Sequence, residues 1–190
     1  RWAVEQFPRI TFACSFGAED VVVADMLHSI RPETDIFYLE TDFHFKETYE
    51  TRDRLEERYG IRITQIRPDL TPEEQALKYG DKLWQRDPNL CCNIRKVEPL
   101  RKWLKNYDAW ITGIRREQSP TRREARKIEY DHKFSLVKIN PLADWTSADV
   151  WKYIREHNVI YNPLHDQNYP SIGCSHCTLP VKEGEDPRAG

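Results

Sequence analysis

The chain has 190 residues, with 29 Lys and Arg against 31 Asp and Glu, a net charge of −2. That balance implies neither a general nucleic-acid surface nor an anionic-membrane surface, and no apolar run approaches the ~20 residues that cross a bilayer. With 39% hydrophobic and 32% charged residues, a chain of this length buries roughly 70% of its unfolded surface, and we expect one globular domain that needs neither disulfides nor metals to fold.

The first half alternates strand-like and helix-like segments. "RITFACSF" (9–16) is a short β-rich run, and "EDVVVADMLHSIR" (19–31) has apolar residues at helical spacing. "DIFYLET" (35–41) reads as a buried strand, "FKETYETRDRLEERYG" (45–60) as an amphipathic helix closed by Gly60, and "IRITQIR" (61–67) as a third strand. This order means βαβ units and a parallel sheet. In "LTPEEQALKYG", Thr71 is the expected N-cap, Pro72 the first helical residue and Glu74 the partner that completes a capping box. "VEPLRKWLKNY" continues as helix, "AWITGI" (109–114) as a fourth strand, "EQSPTRREARK" (117–127) as a basic loop and "FSLVKINP" (134–141) as a fifth strand. "WTSADVWKYIREHN" (145–158) is a helix capped by Thr146 or Ser147. From Tyr161 the chain is Pro- and Gly-punctuated and is expected to wrap the surface. The sequence begins at Arg1 and ends on the polar "GEDPRAG"; segments beyond both ends are expected.

Five cysteines form an odd, clustered set, which points to a reduced, intracellular protein with a metal or redox site rather than a secreted disulfide framework. Cys91 and Cys92 are adjacent, and neighbours can join only in a strained disulfide ring. Cys174 and Cys177 have C-x-x-C spacing. Four thiolates suit zinc or an iron–sulfur cluster. A structural zinc site normally uses two C-x-x-C-like pairs, so the vicinal pair favours a cluster. Arg95 and Lys96 follow closely and could balance its negative charge or hold an anionic substrate. Cys14, inside an apolar strand, reads as a small core residue.

Ligands of open α/β sheets bind outside the carboxyl ends of strands, and three segments there stand out. "CSFGAED" (14–20) turns at Gly17 and can point backbone N–H groups at an anion, or it is an ordinary loop whose acids offset the helix dipole. In "LETDFHF" (39–45), Thr41, Asp42 and His44 can read a ribose or base, or simply cap a helix. "GIRREQSPTRR" (113–123) crowds Arg115, Arg116, Arg122 and Arg123 around Ser119 and Thr121, forks suited to phosphate or sulfate.

Taken together, the Cys-Cys pair, the distant C-x-x-C, "GIRREQSPTR", "WTSADVW" and "YNPLHDQNYPSIGC" resemble the assimilatory adenylyl-sulfate reductases, a likeness that covers nearly the whole chain. The resemblance implies a single α/β domain, a mostly parallel sheet with flanking helices of the adenine-nucleotide α-hydrolase type, related to PP-loop pyrophosphatases. It implies a cytoplasmic, homo-oligomeric enzyme of sulfate assimilation that reduces adenosine 5′-phosphosulfate (APS) to sulfite and AMP with thioredoxin. Cys91, Cys92, Cys174 and Cys177 would ligate a [4Fe–4S] cluster. Substrate would meet Ser15, Phe16 and Gly17 from the first loop, Thr41 and Asp42 from the second, and Gly113, Arg115, Arg116, Gln118, Ser119 and Arg122 from the third. Lys96, Arg115, Arg116 and Arg188 would lie near the phosphosulfate.

Two departures matter. Where PP-loop enzymes carry S-G-G-x-D-S, this chain reads Ser15-Phe16-Gly17-Ala18-Glu19-Asp20, which hinders backbone approach to a pyrophosphate. The family's nucleophilic cysteine, in an E-C-G-[LI]-H motif, has no counterpart here, so it is expected beyond Gly190. Competing expectations are a reductase for the 3′-phosphorylated substrate (PAPS), whose members typically lack the cluster cysteines, or one of dual specificity. A tRNA-thiolating PP-loop enzyme would want an intact S-G-G-x-D-S and a basic surface. A zinc-stabilised, non-catalytic binding module is the reading from outside the fold family.

Overall fold

The computed structural model describes residues 1–182, 184, 185 and 190. Helix α1 (Trp2–Gln6) leads into β1 (Ile10–Ala13), α2 (Ala18–Ile30), β2 (Asp35–Leu39), α3 (Lys46–Tyr59) and β3 (Thr64–Ile66). Three helices follow, α4 (Pro72–Tyr79), α5 (Leu83–Arg86) and α6 (Pro88–Cys92). A π-helical turn, Asn93–Val97, then joins α6 to α7 (Glu98–Leu104). Then come β4 (Ala109–Ile111), β5 (Ile128–Asp131), β6 (Leu136–Ile139) and α8 (Ser147–Glu156). No described helix is long and apolar enough to cross a membrane.

The six strands lie in the order β3-β2-β1-β4-β6-β5. All neighbours are parallel except β5, which pairs antiparallel with β6. Strand side chains alternate between faces, and here both faces are covered. Phe12 lies in register with Ile36 and Ile111; these three join Val21, Val22, Val150 and Ile154 from α2 and α8 in one core. Phe37, Trp110 and Leu136 point the other way and pack with Leu104 of α7. A third cluster, Leu83, Cys91 and Ile94, is closed by Phe43, Leu70 and Trp84. Double coverage explains why the strands read as near-continuous apolar runs.

The local signals act as expected at several ends. Gly60 takes φ +62°, the left-handed conformation that stops α3. Thr71 and Glu74 form the reciprocal capping box of α4, and Thr146 forms another with Asp149 on α8. The π-turn has a cause in Pro99. It has no N–H for the carbonyl of Arg95, four residues back, and its ring crowds that oxygen, so a regular ladder cannot run through.

Two differences from the sequence reading are instructive. β5 falls in a stretch, 128–133, that the sequence reading left unassigned; its pairing with β6 makes it a strand. The segment after Tyr161 does not merely wrap the surface, since Asn162, Leu164 and Cys174 are buried.

Candidate active site

The strand order runs outward in both directions from the boundary between β1 and β4, and the crevice outside the carboxyl ends at such a switch point is where open α/β sheets bind ligands. The loops after β1 and β4 meet there. A Cβ on Gly113 would collide with the Asp20 carboxylate and crowd Glu19 Cβ, so a larger residue would have to push the first loop's acids aside. Arg115 Nε donates to Glu19 Oε1 at 2.8 Å, fastening the second loop to the start of α2.

Ser15, Phe16 and Gly17 form the turn after β1. Phe16 has φ +63°, a conformation costing of order 1–3 kcal/mol outside glycine. It is a conformation that glycine adopts freely, and the ring is buried edge-on to Tyr38, with centroids 5.4 Å apart. Asp20 Oδ2 accepts from both Ser15 N (2.6 Å) and Ser15 Oγ (2.5 Å). Burial raises the Asp20 carboxyl to about 6, although these two donors pull the other way.

In the loop after β4 the arginines divide their work. Arg115 is 6% exposed and its guanidinium is shared by Glu19, Glu117 and the carbonyl of Trp145. Arg116 is exposed and donates to the carbonyl of Ala125. Gln118 Oε1 accepts from Arg115 N and from Arg122, while its Nε2 reaches Gly113 O at 3.5 Å. Ser119 Oγ pairs with Thr121 Oγ1.

The turn after β2 faces the cysteines. Glu40 is 2% exposed and accepts from Tyr49 (2.8 Å), Gln65 (3.0 Å) and the backbone of Asp42 (2.7 Å). Burial opposes its charge, yet these donors hold its carboxyl below the ordinary value. They fix a turn in which Asp42 has φ +59°. Asp42 pairs with Arg95 and Arg67. Thr41 is fully buried, its hydroxyl 3.4 Å from Cys174 Sγ. His44 Nε2 donates to Leu39 O, and the backbone of His44 bridges Cys174.

Thus the two cysteine segments, far apart in sequence, converge beside the carboxyl end of β2. Cys91 and Cys174 are buried, Cys92 and Cys177 exposed, and none of them is in a disulfide. Burial raises the Cys91 thiol, with further upward pushes from Cys92 and Cys174; Gln75 and Arg95 pull it down. Burial likewise raises Cys177, as do Cys174, Cys92 and Cys91, while Lys96 lowers it. The four sulfurs therefore feel one another's charge, and Lys96, half-buried, lies close enough to feel them too. A wall of Phe43, Trp84 and His176 flanks them, with Trp84 and His176 stacked at 4.3 Å and 11°. Among the described residues no group of three or more His, Cys, Asp or Glu is arranged to hold a metal ion.

The profile of the phosphoadenosine phosphosulfate reductase domain matches residues 9–180. The chain belongs to this reductase family. It is 51% identical over its whole length to adenosine 5′-phosphosulfate reductase of Halalkalibacterium halodurans, covering 83% of that protein. Its structure is similar to phosphoadenylyl-sulfate (PAPS) reductase of Candida auris in a phosphate complex, with a TM-score of 0.84 and 34% identity over 94% of this chain and 87% of that one. FMN adenylyltransferase of Candida glabrata shares the fold, with a TM-score of 0.66 at 17% identity over 94% and 61% of the two chains. The fold is thus the mostly parallel α/β sheet with flanking helices expected from the sequence.

Within this reductase-family chain, the structure brings Ser15, Phe16 and Gly17 together with Gly113, Arg115 and Gln118, and sets Thr41 and Asp42 beside the four cysteines. Arg188 lies outside the described residues. Cys14 is buried in the core as expected, and its burial, reinforced by Asp20, raises its thiol well above the ordinary value. Glu40 and Gln75 were missed from sequence. A strand-end glutamate hints at the first; nothing in the spacing singles out the second.

Proposed function

We propose that the protein is a thioredoxin-dependent adenylyl-sulfate reductase carrying one [4Fe–4S] cluster on Cys91, Cys92, Cys174 and Cys177. The observation that supports this most is the convergence of four thiols with Lys96 and the buried Arg95 at the ligand edge of a sheet whose family acts on adenylyl sulfates. The described residues show no group of three or more donors around a single ion, but the chemistry of the donor set suits a cluster: four soft ligands, two of them buried, with the Gln75 amide beside Cys91 and the Thr41 hydroxyl beside Cys174. A bound cluster supplies iron centres whose thiolate charge Lys96 and Arg95 offset.

In this reading the nucleotide lies across the β1–β4 crevice, with Gly113 and the Ser15–Gly17 turn against the adenosine. Lys96 and Arg116 face the phosphosulfate, Arg115 braces Glu19, and Gln118, Ser119 and Arg122 complete the third loop. A cysteine thiolate attacks the substrate sulfur, the S–O bond to AMP breaks, and a cysteine S-sulfonate forms. A thioredoxin thiolate then attacks the cysteine sulfur and displaces sulfite. The second thioredoxin thiol resolves the mixed disulfide, so the two electrons come from the dithiol. Cys14 is enclosed in the core and the other four thiols are assigned as ligands, so we place the nucleophile outside residues 1–190.

The test is product formation by the full-length protein with reduced thioredoxin. Equal AMP and sulfite from APS, with much slower turnover of its 3′-phosphorylated form, supports the reading. A preference for the 3′-phosphorylated nucleotide replaces it with the PAPS reductase alternative.

A further inference from the structure

Helix α4 buries an amide and exposes a leucine. Its single buried residue is Gln75, 2% exposed, whereas Leu77 is 88% exposed. Burying an apolar side chain stabilises, and burying an amide costs unless it is hydrogen-bonded. The helix's own preferences would seat the leucine.

The partners of the amide account for its place. Gln75 Oε1 accepts from Arg95 Nη1 at 3.2 Å, and Nε2 faces Cys91 Sγ at 3.7 Å. This orientation is dictated, because a guanidinium has donors only. Arg95 must take the amide oxygen, which turns the NH2 group onto the sulfur. Arg95 is itself held by the carbonyls of Thr41 (2.6 Å) and Leu70 (3.3 Å) and by Asp42. Gln75 comes from neither cysteine segment, so its aim is independent of the ligand loops.

We infer that Gln75 is a positioning residue of the four-cysteine centre, donating an amide N–H to the Cys91 sulfur so that this ligand is oriented and part of its negative charge neutralised. The inference rests on the cluster proposed above. Arg95 selects the donor, and an isosteric carboxylate at position 75 would keep the Arg95 contact while presenting an acceptor to the sulfur.

The experiment compares anaerobically purified full-length wild type, Gln75→Glu and Gln75→Leu. Each is assayed for iron and acid-labile sulfide, for Fe–S(Cys) vibrational bands by resonance Raman, and for bleaching by an iron chelator. Outer-shell partners typically change metal affinity ~10–100-fold. Both variants should therefore bleach ~10-fold or more faster than wild type, with shifted Fe–S(Cys) bands, and Gln75→Glu should do so while its thermal unfolding stays close to wild type. Wild-type bands and bleaching in Gln75→Glu, with Gln75→Leu alone affected, would overturn the inference and leave only a structural bond to Arg95. Wild type without iron and sulfide would instead sink the cluster reading itself, and this inference with it.

Discussion

Arg95 Nε donates to the carbonyl oxygen of Thr41 at 2.6 Å, joining residues 54 apart in sequence. The contact ties the π-turn after the cysteine pair to the carboxyl end of β2, so the ligand edge of the sheet and the thiol site share one rigid link. Arg95 is 1% exposed with four acceptors around it. Arg95→Ala leaves those acceptors unpaired and Asp42 without one of its two cations, and should destabilise by roughly 3–5 kcal/mol. Arg95→Lys should recover little, because one ammonium cannot reproduce the planar fork. Denaturant unfolding checks both; full recovery by lysine would contradict the geometric account.

The cysteines divide into four and one. Serine at Cys91, Cys92, Cys174 or Cys177 should abolish iron and sulfide, whereas Cys14→Ser should keep them, because Cys14 packs in the main core and Cys91 in a separate cluster. Colorimetric iron and sulfide analysis decides. Zinc without sulfide in the wild type would favour a structural zinc site.

The two neighbouring arginines should behave differently. Arg116 is exposed and donates to a backbone carbonyl, so Arg116→Ala should weaken nucleotide binding by roughly 10- to 150-fold, the loss of one charged hydrogen bond, with little change in unfolding. Arg115 sits buried between Glu19 and Glu117. Its alanine variant should lose stability as well as binding. Calorimetric titration with AMP beside thermal melting separates the cases, and equal behaviour of the two variants would contradict the division.

Asp20 gives a pH signature. Its carboxyl, ordinarily near 3.8, is raised by burial to about 6. A carboxyl with a raised folded-state pKa binds its proton more tightly in the native chain, so its contribution is full below about pH 4 and is lost as pH rises through about 6. The shift of roughly two units corresponds to about 3 kcal/mol. Asp20→Asn should flatten the fall in stability between pH 4 and 6 while preserving an acceptor for Ser15. An unchanged slope would show that Asp20 is not the group responsible.

Much of this was legible because the local and tertiary signals agree. The buried parallel strands, the Gly60 stop and the Thr71 box each state their role in a few residues. The cysteine spacing raises the expectation of a four-thiol site, and the two segments do fold toward one another, while Pro99 is the visible reason for the π-turn that follows Cys92. What the sequence conceals are choices made by tertiary contacts. "IEYD" becomes a strand only when β6 supplies its partner. A helix reader would put Leu77 inside and Gln75 outside, and the structure reverses them because Arg95 and Cys91 need the amide. Arg115 reads as an anion ligand among four arginines, yet Glu19 and Glu117 already surround it.

The central claim is a covalent transfer of the sulfonate from nucleotide to protein, and intact-mass analysis tests it most directly. Full-length protein incubated with APS and no thioredoxin should gain the mass of one sulfonate. Peptide mapping should place it on a cysteine outside residues 1–190, with an equivalent of AMP released and the adduct discharged as sulfite on adding reduced thioredoxin. AMP release without any adduct, or an adduct on Cys14 or on one of the four clustered cysteines, would contradict the account.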